Sequence, residues 1–189
     1  MLKYAKIIND EIGMCEVGEG TNVDFYKSIG MDECDVERSD VDGNWYLAEK
    51  CPHKSDEEKL NEAKEAKYEE ANKGAKEYLE NGEALFEFEE GKHIEATDGN
   101  IAKLTAYALA YVTGQLQPSE YVVWNTKEDE TVELKSEQVA YIIKGLGFVQ
   151  ASVWSVQFPA YVQAIETAET VEEVEAIEIN YYSEEPIGE

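Results

Sequence analysis

Positive charge is scarce in this chain. Sixteen Lys and Arg face 42 Asp and Glu, a formal net of -26, and Arg38 is the one arginine. That scarcity disfavours direct nucleic-acid binding, because displacing counterions from backbone phosphates takes clustered Lys and Arg. It disfavours an anionic membrane surface for the same reason. Long apolar runs are also lacking, so no bilayer span and no membrane partner are expected. The start, Met1-Leu-Lys-Tyr-Ala-Lys6, has neither the apolar core nor the cleavage site of a secretory signal. Cysteine is limited to Cys15, Cys34 and Cys51, an odd number with no CxxC unit. That argues against a disulfide framework and for a reducing compartment.

Catalytic signatures are missing too. There is no GxSxG, HExxH or Walker loop. Gly18-Glu-Gly20 follows a strand and precedes a helix, as a phosphate loop does. It lacks a third glycine and puts Glu19 where phosphate would sit. His93 lies beside the apolar Ile94 on a hairpin strand, a structural place rather than that of a general base. The acids are too numerous for one carboxylate pair to stand out. Cys51 and His53 flank Pro52, but a zinc site would need Cys15 and Cys34 brought in from distant loops, so ordinary thiols are the preferred reading. Trp45, Trp124 and Trp154 read as core aromatics rather than a sugar platform. The expectation is a non-enzyme with no catalytic residue, cofactor or metal.

What is present is a pattern written twice, 38 positions apart. Phe86-Glu-Phe88, Gly91, His93-Ile94-Glu95-Ala96 and Asp98 to Ala102 correspond to Trp124-Asn-Thr126, Asp129, Thr131-Val132-Glu133-Leu134 and Ser136 to Ala140. Each copy reads as two short strands, a tight turn and a helix capped by Asp98 or Ser136. Phe86 and Trp124, Ile94 and Val132, and Ile101 and Val139 should occupy equivalent core positions. The second helix carries apolar residues from Val139 to Val156, Trp154 among them, and Pro159 is expected to kink it or end it near Gln157. Thr170 opens a last short helix.

The fold class is therefore α+β. Residues 1–53 form a small N-terminal β-hairpin/helix module, 54–82 a long connector helix, 83–180 a C-terminal hairpin-helix-hairpin-helix module, and 181–189 a frayed acidic tail. In the first module Tyr4 to Ile8 pairs with Met14 to Val17, Thr21 or Asn22 caps a helix stopped by Gly30, and Asp42-Gly43 is the type I′ dipeptide of a second hairpin. Asp40, Asp42 and Asn44 also look like the start of a calcium loop. Its twelfth place is held by Cys51, so the hairpin is preferred. The connector has 9 acids and 6 lysines, with Glu69–Lys73 and Lys76–Glu80 at pairing distance and Gly74 as its weak point. Its apolar stripe is thin, which favours a solvated helix over a coiled coil. If the chain forms a homo-oligomer, residues 54–82 are the place, with Leu60, Ala63, Ala71, Ala75 and Tyr78 as the seam. If the stripe packs on its own chain, the protein is a monomer.

Phe86-Glu-Phe88 with Ile94-Glu-Ala96, the helix of Asp98, Ile101, Leu104 and Ala108, Trp124-Asn-Thr126 with Thr131 to Leu134, and the Ala-rich helix that follows resemble a known domain. It is the uncharacterised domain found toward the C-terminus of tail-fibre and tail-fibre-assembly-type proteins of tailed phages. The stretch from Tyr161 to Ile177 is similar to that domain's usual ending. Tyr4-Ala-Lys-Ile-Ile8, Cys15-Glu-Val-Gly18, Phe25 to Met31 and Asp42-Gly-Asn-Trp45-Tyr46 resemble small prophage tail proteins of Gram-positive bacteria. The resemblance implies a non-enzymatic tail structural or assembly protein. Its partners would be fibre or baseplate proteins, met in the bacterial host cytoplasm during assembly or kept in the virion tail. The alternative is an acidic DNA mimic that inhibits a host DNA-binding protein. The plain meaning of the acidity is solubility and self-repulsion.

Overall fold

The computed structural model describes residues 2–18 and 20–182. Glu19 of the supposed phosphate loop, and 183–189 of the expected tail, lie outside them. The fold is mixed α and β, as expected, in two compact units, Met1–Lys59 and Leu60–Glu189.

In the first unit β1 (Leu2–Asn9), β2 (Met14–Val17), β3 (Asp32–Arg38) and β4 (Trp45–Leu47) close into a barrel in the order β1-β2-β4-β3. Closure satisfies the strand edges that two separate hairpins would leave open. Strand alternation turns Ala5, Cys15 and Val36 inward, with Cys34, Trp45 and Leu47 packed against them. Helix α1 (Val23–Ser28) bridges β2 and β3, and Asn22 caps it by accepting from the Phe25 N–H at 3.1 Å. A Cβ on Gly18 would come within 2.4 Å of the Tyr26 ring, so this glycine serves packing rather than phosphate.

The Asp42-Gly43 turn differs from the expected type I′, which needs positive φ at both central residues. Gly43 has it (φ 75), while Asp42 is not among the positive-φ residues described. The loop is closed instead by the Ser39 N–H on the Asn44 carbonyl at 2.8 Å. Asp42 accepts from the Asn44 N–H, the Asn44 amide and the Tyr46 hydroxyl, at 3.0, 2.9 and 2.7 Å. These donors, the Tyr46 hydroxyl first, hold its carboxyl down at about 2, so the carboxylate is committed to the loop.

Helix α2 (Asp56–Glu80) starts with a reciprocal capping box: Ser55 Oγ accepts from the Glu58 N–H, and Glu58 accepts from the Ser55 N–H. The unit boundary falls inside this helix. From Leu60 onward it is part of the second unit, which corrects the expected free connector. Ala71 and Ala75 are fully buried and Leu79 nearly so. Their small side chains let the chain after α6 lie close: the Tyr181 hydroxyl donates to the Ala71 carbonyl at 2.9 Å. Gly74, expected as a weak point, is a place of close approach, since a Cβ there would meet Tyr181 at 3.3 Å. The expected seam is thus turned into the chain's own core at Ala71 and Ala75. Tyr78 is half-buried, stacked on Tyr181 at 6.3 Å, and Leu60 is partly exposed. On the outer face Lys73 pairs with Glu77 at 3.6 Å, rather than with Glu69, while the largely covered Lys67, in the row of Ala71 and Ala75, reaches Glu70 at 2.9 Å.

The duplication is visible in three dimensions. Hairpin β5 (Leu85–Glu89) and β6 (Lys92–Glu95) precedes α3 (Asp98–Val112). Hairpin β7 (Val122–Asn125) and β8 (Thr131–Leu134) precedes α4 (Ser136–Ser152). Phe86 pairs with Ile94 as Trp124 pairs with Val132. The turns use the left-handed region at equivalent places, Gly91 (φ 71) and Asp129 (φ 61). The caps sit one residue earlier than expected. Thr97 accepts from the Asn100 N–H at 3.2 Å, and the Gln138 side chain accepts from the Lys135 N–H at 3.1 Å. Asp98 and Ser136 are instead the first helical residues.

Pro159 does not end the second helix. Its missing N–H and its ring would break the i→i−4 ladder. The chain widens to a π turn at Val153–Gln157, where the Phe158 N–H reaches the Val153 carbonyl, and runs on as α5 (Phe158–Thr167). Ser136–Thr167 is consequently one helical stretch of 32 residues, long and apolar enough by length and composition to cross a bilayer. That corrects the expectation of no such stretch. Its apolar residues include Val139, Ile142, Leu146, Val153, Tyr161 and Ile165, all buried in the core of this unit. The π turn also rotates Trp154 and Val156 outward, to 37% and 64% exposure. Helix α6 (Val171–Glu175), capped by Thr170, precedes the segment that carries Tyr181 across α2.

Candidate functional site

The six residues expected to share a core do so unequally. Ile94 and Val139 are buried, while Phe86, Ile101, Trp124 and Val132 are partly buried against the same cluster. In the second hairpin the buried strand positions are Val122 and Leu134, two strand pairs further from the turn than Trp124 and Val132 and on the same face, matching Ala84 and Ala96 in the first. Each hairpin ends in its turn, at Gly91 and at Asp129. The two copies are stitched at those ends. The Lys127 N–H donates to the His93 carbonyl at 2.9 Å, and Glu128 accepts from the His93 N–H and faces its Nδ1 at 3.0 and 2.8 Å. Lys127 Nζ reaches Glu95 at 2.9 Å. Glu128 is held at about 2, first by the His93 N–H. His93 therefore has the structural place expected of it, with a partner the sequence did not point to.

In the second unit a groove lies between α2 and α5. Helical spacing puts Lys64, Tyr68 and Asn72 in one row on α2, with Glu65 and Glu69 in the next row. Val162, Ile165 and Glu166 face them from α5, enclosing a groove of about 490 Å³. Its floor is apolar: Ile165 is buried, Val162 is half-buried and Tyr68 is 44% exposed. Tyr68 meets Phe158 edge to face at 5.4 Å, and Phe158 meets Trp154 at 5.5 Å, so an aromatic row leads from the groove to the π turn. Lys64 donates to the Glu166 carbonyl in the last turn of α5 at 2.9 Å, where a cation suits the helix dipole. That contact leaves Glu65, Glu69 and Glu166 to give the rim its negative charge. The thin stripe of α2 hid the groove in the sequence, because half of its floor comes from the far side of Pro159.

In the first unit, Cys51, His53 and Glu37 come together with their ligand atoms within 4.8 Å of one another. Cys15 is buried in the barrel and Cys34 packs beside it, so neither joins that group. Burial first, then Glu37, Asp40 and Asp42, push the Cys51 thiol up. Nothing in the sequence singled out Glu37 among so many acids. No protein-family model, curated protein or solved structure matches this chain.

Proposed function

We propose that the protein is a non-enzymatic structural or assembly component of a phage or prophage tail, and that the groove between α2 and α5 is its working surface. The observation that carries this reading is the combination of an apolar, aromatic floor with an acidic rim. Such a surface suits a helix or extended segment that presents an apolar anchor between Lys or Arg residues. The tail assignment rests on the resemblance of the two hairpin–helix copies and of the N-terminal strands to tail proteins. The partner is accordingly a fibre or baseplate protein, met in the host cytoplasm during assembly. The chain's own net charge of -26 opposes self-association and speeds encounter with a basic partner.

Complementation tests the proposal. In the phage or prophage that encodes the chain, the double variant Tyr68→Ala, Val162→Lys should fold normally by circular dichroism yet yield particles with incomplete or non-adsorbing tails. Intact infectious tails after disruption of the whole gene would contradict the tail reading. Incomplete tails on disruption that the double variant fully restores would place the working surface elsewhere. A host DNA-binding protein released from its sites by the chain would favour the acidic mimic.

A further inference from the structure

We infer that the end of β3 and the loop after β4 form a binding site for a single divalent transition ion of the zinc class, with Glu37, Cys51 and His53 as its ligands. The inference concerns the N-terminal unit and does not rest on the groove. A cysteine sulfur, an imidazole nitrogen and a carboxylate oxygen converge within 4.8 Å of one another, and His53 Nε2 lies 3.7 Å from Glu37 Oε2. Neighbouring ligands of a tetrahedral ion with bonds of about 2.0–2.3 Å sit about 3.3–3.8 Å apart, so a small inward movement completes the set.

Sulfur and nitrogen donors select a zinc-class ion over calcium or magnesium, which take oxygen ligands. The second nitrogen of His53, Nδ1, faces Asp40 Oδ1 at 3.8 Å. A carboxylate behind a ligating histidine fixes which ring nitrogen is presented to the metal.

The backbone sets these positions in advance. The buried Ser39 donates its hydroxyl to the Pro52 carbonyl at 2.7 Å, between the two loop ligands. Asp40 accepts from the Lys54 N–H at 2.8 Å, just beyond them. Both ties anchor the loop to the end of β3, the strand that carries Glu37. A dication also offsets the repulsion among Glu37, Asp40 and the thiolate. Three protein ligands leave the fourth position to water or to a donor from a partner.

Cobalt titration of the reduced full chain tests the site, because a thiolate–cobalt bond gives a charge-transfer band that surface carboxylates cannot. The expected result is one equivalent of Co²⁺ bound with that band, which Zn²⁺ then displaces. Cys51→Ser should abolish the band, and His53→Ala should weaken binding while leaving the circular dichroism unchanged. Asp40→Asn should weaken binding by about 10–100-fold. Absence of the band, its survival in Cys51→Ser, or an affinity unchanged in His53→Ala would overturn the inference, leaving only diffuse cation binding by surface acids. If Cys51→Ser loses its fold, the exposed His53→Ala variant decides alone.

Discussion

Tyr181→Ala is expected to destabilise the second unit by about 3–5 kcal/mol, the range for removing a buried aromatic ring. Tyr181 is 3% exposed. Its ring sits edge-on to Tyr161 at 5.2 Å, and its hydroxyl donates to the Ala71 carbonyl. Tyr161 holds the same segment by donating to the Asn180 carbonyl at 2.8 Å and accepting from the Asn180 N–H at 2.9 Å. Removing the ring therefore opens a cavity over Ala71, Gly74 and Ala75 and loosens α2. Tyr181→Phe should cost only about 1 kcal/mol, since it loses one hydrogen bond. Denaturant unfolding followed by tryptophan fluorescence separates the two variants.

The hydroxyl adds a pH dependence. Burial first, then Tyr161, raises its pKa above the unfolded value of 10.0. The neutral form is thus favoured by folding, and this contribution is full below pH 10 and lost as the pH climbs through the raised folded value. Tyr181→Phe should flatten the alkaline fall in stability. An equal fall in both proteins would mean the hydroxyl is not buried.

The second large effect is a contrast between two glycines in one helix. A Cβ on Gly145 would come within 2.2–2.3 Å of the Phe86 ring, whereas a Cβ on Gly147 meets nothing within 4 Å. Gly147→Ala should stabilise by about 0.5–1 kcal/mol through helix propensity alone. Gly145→Ala should destabilise by about 1–3 kcal/mol despite the same propensity gain, because Phe86 must leave its place against α4. Combining Gly145→Ala with Phe86→Leu should recover part of that loss, a coupling read from the double-mutant cycle. Equal effects of the two alanines would show that the first hairpin does not pack on α4 as described.

These two sites mark where sequence reading succeeded and where it ran out. The duplicated hairpin–helix pattern was legible because it is local: strand alternation, turn chemistry and helix starts lie within a few residues of one another. Even there, Ala84 lies outside the pattern and Ala96 inside it carries no core assignment, since a small residue at a close contact has no apolar signal of its own. Ala71, Gly74 and Ala75 misled for the same reason. A stripe of small residues reads as weak, yet it is what a covering segment needs, and the cover, Tyr181, lies 110 residues from Ala71. The barrel's β1–β3 and β2–β4 pairings join strands distant in sequence, which no short-range pattern encodes. At Pro159 the local rule was sound, but tertiary packing on both sides held the helix together, so the disruption was absorbed as a π turn. The groove and the Glu37–Cys51–His53 group needed the same long-range information. Of the groove, each helix is readable on its own from local periodicity, but not that α2 and α5 face each other.

The most direct test of the proposed groove contact is a backbone NMR titration of the full chain with a purified tail-fibre or baseplate protein encoded in the same genome. The account predicts shifts concentrated at residues 64–72 and 162–166, persisting at moderate salt because the floor is apolar and abolished by Tyr68→Ala, Val162→Lys. Shifts spread over acidic surfaces and erased by salt, or a full response in the double variant, would contradict it.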